Sequence, residues 1–398
     1  QVIWSEQGRL HLAYNGQINP VTGVVDTITG IDSGSTEAHA VRKGATVVAV
    51  VNSIVFKAFV KVGAENSTSQ LTIKPYGAEN VDDLSGIATT DNQVIKFFVY
   101  GSEFKKGTAS MTESIEPNFL SLTNKPMIIK DHFEINGSDA GQIGWIEVSG
   151  EAGQNGYLWY LKSQGDTNKR FEDYLEMSVV EAEKSDSTAD SDIPDGSEGL
   201  LSAIGNRGIV GTGFFDDSSD PVLASFDTLL TNLDEQGAIE ENMLFLDRGA
   251  NLGIDDMLGA VNANFSGGTS FGVFNNSQDM ALNLGFSGFR RGSYDFYKTD
   301  WKYLNNKSTR GLVGGLEGVL VPAGTSSVYD QNLGQNVKRP FLHVRYRASE
   351  ADDRKLKTWI TGSVGGAATI GDDKMEVHYL SERCLVVQAA NNFVRFDS

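Results

Sequence analysis

Cysteine, proline and long apolar runs are all scarce in this sequence, and each shortage removes a class of protein. The 398 residues hold a single cysteine, Cys384. An internal disulfide is impossible, so this is no disulfide-stapled scaffold, and a reducing compartment is the natural place of synthesis. Cys384 lies in an apolar strand candidate and reads as a buried structural thiol rather than a nucleophile. Eight prolines against 44 glycines, with 40% hydrophobic residues, describe a globular chain, neither disordered nor collagen-like. The longest apolar run, Val47-Val48-Ala49-Val50-Val51, has the length of a strand. It falls far short of the roughly 18 residues that cross a bilayer as a helix, so no membrane span is expected.

Clustered cations are missing too. Lys and Arg number 33 against 52 Asp and Glu, a net charge of −19. Gripping a nucleic-acid backbone needs closely spaced Lys and Arg, so the charge argues against that class. An acidic surface favours solubility and weak repulsion from polyanions. The sequence opens at Gln1 with no hydrophobic signal region after it, which leads us to expect a trimmed or proteolytically processed chain. Asn-x-Ser/Thr triplets at Asn66, Asn136, Asn264, Asn275 and Asn306 read as chance matches in a chain rich in Asn, Ser and Gly.

What is present is mostly strand and turn, enough for two or three cores or one elaborate domain. Residues 1–43 show no sustained period and read as an extended N-terminal arm, although Val21-Thr22-Gly23-Val24-Val25-Asp26-Thr27 has strand composition. Residues 44–107 alternate clearly, with β-branched and aromatic runs at 46–51, 55–62, 70–75 and 93–100, and predict a small antiparallel β module. Around Asn136-Gly137 a long hairpin is predicted, with Ile128-Ile129 and Phe133-Glu134-Ile135 before the turn and Ile143–Val148 after it.

Residues 141–184 stand apart. The aromatic stretch Gly156-Tyr157-Leu158-Trp159-Tyr160-Leu161-Lys162 leads into Phe171, Leu175 and Val179 at three-four spacing, which predicts a long amphipathic helix. Gly165 followed by Asp166, a good N-cap, divides it into pieces over 154–164 and 167–184; laid end to end they would span about 45 Å. One such girder among strands suits a protein that shares load with its neighbours. Further on, Ser185–Gly199 is an acidic loop, and Asp220-Pro221 opens a helix with Leu223, Phe226, Leu229, Leu230 and Leu233 that Gly237 stops. Met243–Leu246, Tyr294–Trp301, Val319–Pro322, Phe341–Tyr346, Lys374–Val387 and Asn392–Phe396 read as strands, and Asn251–Ala263 as a helix.

Motifs that would carry chemistry fail on context. Gly268-Thr269-Ser270-Phe271-Gly272 matches a nucleophile elbow, but no helix pattern follows, and His343 and His378 downstream alternate within strands. Asp186, Asp190, Asp192, Asp195 and Glu198 could chelate a cation, yet Pro194 and Asp195 stand where an EF-hand needs a ligand and a glycine. The five histidines, His11, His39, His132, His343 and His378, lack zinc-site spacing, and Gly211-Thr212-Gly213 lacks the third glycine of a dinucleotide loop. Glu172, Asp173 and Glu176 read as a solvated helix face. No catalytic constellation, metal set or cofactor is expected.

Taken in order, the pieces resemble the major capsid proteins of tailed bacteriophages, which have the Johnson fold shared with encapsulins and the herpesvirus capsid floor. The likeness rests on Asn124–Ile129 leading into Asp131–Gly137, on Trp145–Val148, on Tyr157–Lys162 with Arg170–Glu176, on Tyr294–Trp301 before Gly318–Pro322, and on Met375–Arg383. It covers roughly residues 108–398. The resemblance implies an α+β fold with an N-terminal arm (1–43), an extended hairpin loop (108–153), a spine helix with a peripheral domain (154–240), an axial domain (241–370), and closing strands that return to the periphery (371–398). The module at 44–107 goes beyond that minimal fold and resembles insertions of some phage lineages. Implied with it are self-association into hexamers and pentamers, portal, scaffold and decoration partners, an icosahedral shell built in the host cytoplasm around DNA without sequence-specific binding, no enzyme activity and no cofactor. Phe133, Ile135, Ile143 and Trp145 are the expected inter-subunit anchors, because an aromatic hairpin cannot bury its own apolar faces; packing within their own chain is the other reading. A tail sheath or other virion protein, and a secreted β-rich binding protein or adhesin, are the alternatives.

Overall fold

A computed structural model describes residues 1–7, 12–30, 38–87, 91–108, 119–140, 148–149, 155–156, 159–185, 194–213, 222–237, 239–264, 288–330, 335–364 and 369–398. They form an α+β chain that divides into two compact units, Ser5–Ser121 and Gln1–Trp4 with Leu122–Ser398.

The smaller unit is a closed antiparallel barrel. Its strands are β1 (Ala13–Ile18), β2 (Val24–Gly30), β3 (Ala45–Val51), β4 (Ile54–Val62), β5 (Leu71–Pro75) and β6 (Gln93–Ser102), in the order β1-β2-β5-β4-β3-β6 with β6 returning to β1. Alternation sends Ile18, Val25, Val47, Phe56, Ile73 and Ile95 inward, where each is buried. Gly23 sits at φ +72 where β2 meets β5, and a Cβ there would lie 2.3 Å from the Ile73 carbonyl oxygen, so no other residue fits. The expected N-terminal arm is therefore corrected. Residues 13–30 supply two barrel strands, and without them β5 and β6 would be open edges inviting foreign pairing. The β module extends well beyond 44–107 for the same reason.

Among the described residues, the larger unit is built on two large sheets, with smaller two-stranded ribbons such as Thr325–Asp330 with Gln335–Pro340 beside them. One is six-stranded, ordered β8-β16-β12-β9-β11-β10, from β8 (Ile209–Thr212), β9 (Glu241–Leu246), β10 (Gly288–Arg291), β11 (Tyr294–Asp300), β12 (Gly318–Pro322) and β16 (Val394–Asp397). It mixes parallel pairs (β8 with β16, β9 with β11) and antiparallel ones. The run Val319-Leu320-Val321 is apolar on both sides because β12 is covered on both faces. Leu320 joins a core with Phe226, Ile254 and Phe296, and Val319 joins another with Ile204, Leu385 and Phe393. The first core is roofed by α3 (Val222–Glu235) and α4 (Arg248–Asn264). Gly237, at φ +76, ends α3 as the sequence predicts. The second core takes the apolar face of α2 (Leu200–Arg207), a helix too short for its period to show in the sequence.

The other sheet is built on β15 (Lys374–Val387). β7 (Met127–Asn136) pairs along one edge; β14 (Lys357–Gly362) and then β13 (Leu342–Tyr346) pair along the other. The long helix α1 (Trp159–Glu181) packs on its face. Two expectations are corrected here. The strand before Asn136-Gly137 pairs with β15, almost 250 residues away, and Gly137 opens a short helical turn, Gly137–Ala140, in place of the expected tight turn; Ile143–Glu147 of the expected return strand lie outside the described residues. The helix is also continuous across Gly165: its 23 residues span about 35 Å, and Asp166 lies within it rather than capping a second piece. One glycine costs only about 1 kcal/mol in a helix, less than the buried stripe of α1 returns.

A Cβ on Gly165 would meet nothing within 4 Å. Gly165→Ala is therefore expected to stabilise the larger unit by about 0.5–1 kcal/mol, read as a higher urea midpoint; a lower midpoint would mean that the helix needs a break there.

Candidate functional site

The helix-backed sheet is where the sequence put its anchors, and its two faces differ. On the covered face, Phe171 and Leu175 of α1 meet Ile129 and Phe133 of β7 and Met375, Val377 and Tyr379 of β15. The Phe171 and Tyr379 rings lie 5.6 Å apart. The Arg170 guanidinium grips Asp131 through two hydrogen bonds of 2.9 and 3.0 Å, which fixes the helix on β7 and pushes the Arg170 pKa up. At the far end of α1, Glu181 accepts from the Tyr303 hydroxyl (2.6 Å) and from Arg310 (3.0 Å). Burial, then that carboxylate, raises the Tyr303 pKa.

Two of the four expected anchors belong to this interior. Ile135 is only 4% exposed, and Phe133 packs against the α1 core. Their alternation suits one wall of a projecting hairpin equally well; in this chain the strand that carries them pairs with the distant β15. Ile143 and Trp145 lie outside the described residues.

The opposite face carries a cross-strand row: His132, His378 and Trp359 are directly paired across β7, β15 and β14. Their rings are near-parallel, with centroids 6.3 Å apart for the histidines and 5.1 Å for His378 and Trp359. His378 is held by the Thr361 hydroxyl (2.8 Å) and Glu376 (3.2 Å), and Lys374 pairs with Glu376. Ile128 and Trp359 stay exposed beside the row. Apolar and aromatic side chains on an open face are suited to docking, and nothing among them is arranged for bond chemistry.

The remaining candidates disperse. The Ser270 elbow and Asp186, Asp190 and Asp192 lie outside the described residues. Asp195 pairs with Lys125, and Glu198 with Arg207. Glu172, Asp173 and Glu176 are all exposed on α1. His343 donates through Nδ1 to the Pro340 carbonyl (2.8 Å) and accepts at Nε2 from Arg345 (3.3 Å), on a strand separate from His378. Among the described residues no three His, Cys, Asp or Glu side chains converge on a metal position. Cys384 is buried in β15, and burial pushes its thiol up to about 11.

A buried amide missed by the sequence reading holds this region together. Asn124 donates through Nδ2 to the carbonyls of Glu198 (3.0 Å) and Leu385 (2.9 Å). Its Oδ1 accepts from the backbone of Lys125 and Glu198, both at 2.9 Å, and from the Ser197 hydroxyl. Sequence offers no signal for it, because the three segments it joins are far apart in the chain.

Asn124→Ala would leave buried carbonyls and an N–H unmet, and is expected to cost about 2–4 kcal/mol in chemical denaturation. Cys384 gives a second check. At pH 8 a thiol with a pKa near 11 is about one-thousandth thiolate, so a disulfide reagent should stay silent until the larger unit unfolds. Rapid labelling of the native chain would contradict that burial.

No family model and no curated protein matches the sequence. Among solved structures, the chain is similar to one from the capsid of cyanophage P-SCSP1u: 9% identity, 90% of this chain and 84% of that one covered, TM-score 0.39. It is similar also to a chain of the mature capsid of bacteriophage PhiM1, at 10% identity over 75% of this chain and 78% of that one, TM-score 0.39. A third is from the capsid of jumbo bacteriophage PhiKZ, at 12% identity over 96% of this chain and 63% of that one, TM-score 0.29.

Proposed function

We propose that the chain is a major capsid subunit that assembles with copies of itself into the icosahedral head shell of a tailed bacteriophage, around packaged double-stranded DNA. The observation that carries the reading is the helix-backed sheet: a 23-residue helix lies on a strand from before it and a strand from the chain's end. That is the element order implied by the sequence resemblance, with α1 as the spine, its sheet as the peripheral domain, and the six-stranded sheet with α3 and α4 as the axial domain. Lys374–Val387 fills the role of the closing strand. In this reading the extended loop is the part of residues 108–153 outside β7, Ile143 and Trp145 are its anchors on a neighbour, and the open His132–His378–Trp359 face is available to receive contacts. The net charge of −19 suits a wall that encloses DNA without holding it. Hexamers and pentamers are the expected assemblies, with portal, scaffold and decoration proteins as further partners.

Negative-stain microscopy of the chain, expressed alone and with its neighbouring genes, tests this directly. Closed shells or sheets of hexamers and pentamers are the expected outcome. Tubes would point to a tail component, and monomers under every condition would overturn the proposal.

A further inference from the structure

The barrel has an outer wall that its own fold does not use. Its core is filled by the inward residues of β1–β6, and the outward residues of β3, β4 and β6 contribute nothing to it. Those outward positions include Val55 and Val94, each 65% exposed, and Phe98 and Tyr100, each 49% exposed. Register places them together: Phe98 lies beside Val48, Val48 beside Lys57, and Val50 between Lys96 and Val55. The only charges on the wall are Lys57, Lys61 and Lys96, all exposed, and the Lys57 ammonium sits 5.9 Å from the Tyr100 ring centroid. The adjoining strands β1, β3, β4 and β6 contain no Asp or Glu at all, although the chain carries 52 of them. Glu103, just past β6, is taken by the Tyr76 hydroxyl at 2.7 Å. Strand propensity accounts for the valines and aromatics. It does not account for their exposure beside lysines that, among the described residues, have no carboxylate partner.

We propose that this wall of β1, β6, β3 and β4 is a docking face for a second copy of the chain, which meets it with an acidic surface. Charge complementarity selects the occupant: the wall is apolar and cationic, and the commonest surface available in a self-assembling chain of net charge −19 is acidic. A nucleic acid fits less well. Three lysines without an arginine give few phosphate contacts, and beside the rings of Phe98 and Tyr100 the wall offers mostly valine, which gives a single strand nothing to stack on. The inference rests on the shell reading for its partner and adds the surface through which the extra barrel takes part.

The test uses the full chain under conditions where the wild type assembles. Lys57→Glu with Lys96→Glu, and separately Phe98→Ser, touch only exposed positions, so circular dichroism and the melting temperature are expected to match wild type. Sedimentation velocity should show the assembled fraction reduced about tenfold or more in both, while Lys57→Arg with Lys96→Arg keeps it. Raising the salt to 1 M should weaken wild-type association and leave the glutamate variant's remainder unmoved. If the wild type assembles and both wall variants match it, the docking face is overturned and the shell reading stands. A wild type that never associates overturns both. Binding of a labelled single-stranded oligonucleotide that the glutamate variant loses, with assembly unchanged, would overturn the protein partner in favour of a polyanion.

Discussion

The larger unit depends on one strand having neighbours almost everywhere. Lys374–Val387 pairs with β7 on one edge and with β14 and β13 in turn on the other. Where β7 ends, opposite Arg383, the Asn124 amide takes over and satisfies the Leu385 carbonyl. Its side chains feed two cores, Val377 and Tyr379 under α1 and Leu385 and Val387 against α2. A buried backbone must have its polar groups met, so each neighbour of this strand is an obligation as much as a contact.

Charge is handled locally, in contrast to the large acidic excess of the whole chain. Glu382 is buried in that same strand and accepts from Arg347 (3.1 Å) and Arg354. The backbone of Arg347 donates to the Glu382 carbonyl at 3.2 Å, so the segment after β13 is bound by both main chain and side chain. Lys298, nearly inaccessible on β11, donates to Asp255 and to the side chain (2.8 Å) and carbonyl (3.2 Å) of Asn251 on α4. Ions taken out of water are tolerated only with complete partners, and both sites meet that condition. The acidic excess is therefore left largely to the surface, and the acid-free barrel wall stands in contrast to it.

Local pattern told the fold well where a decision was local. The α3 helix and its stop at Gly237, the strand Met243–Leu246 and the long alternating strand at 374–387 are all visible in the sequence, because burial of one face sets their period. The burial of Cys384 was equally legible from its apolar flanks. Pairing was not. Phe133 and Ile135 read the same whether their partner is eight residues away or almost 250, and only the three-dimensional register separates those cases. At 13–30 only Val21–Thr27 had strand composition, and the strand around Gly16 stayed hidden because its apolar residues are few, yet Gly16 and Gly23 permit the close approaches that closure requires. Gly165 misled in the other direction: helix propensity is a weak local preference, and packing along Phe171 and Leu175 outweighs it.

The pairing of β7 with β15 also orders events in time. When α1 leaves the ribosome, about two hundred residues must still be translated before Val377 and Tyr379 exist to cover its apolar stripe. At translation rates of about 5–20 residues per second, that interval is roughly 10–40 s. The barrel, whose six strands all lie within the first 102 residues, has every pairing partner long before then. Synthesis thus separates a unit whose pairing partners come early from one that must wait for β15. Until that strand is made, the longest helix lacks the sheet that supports it.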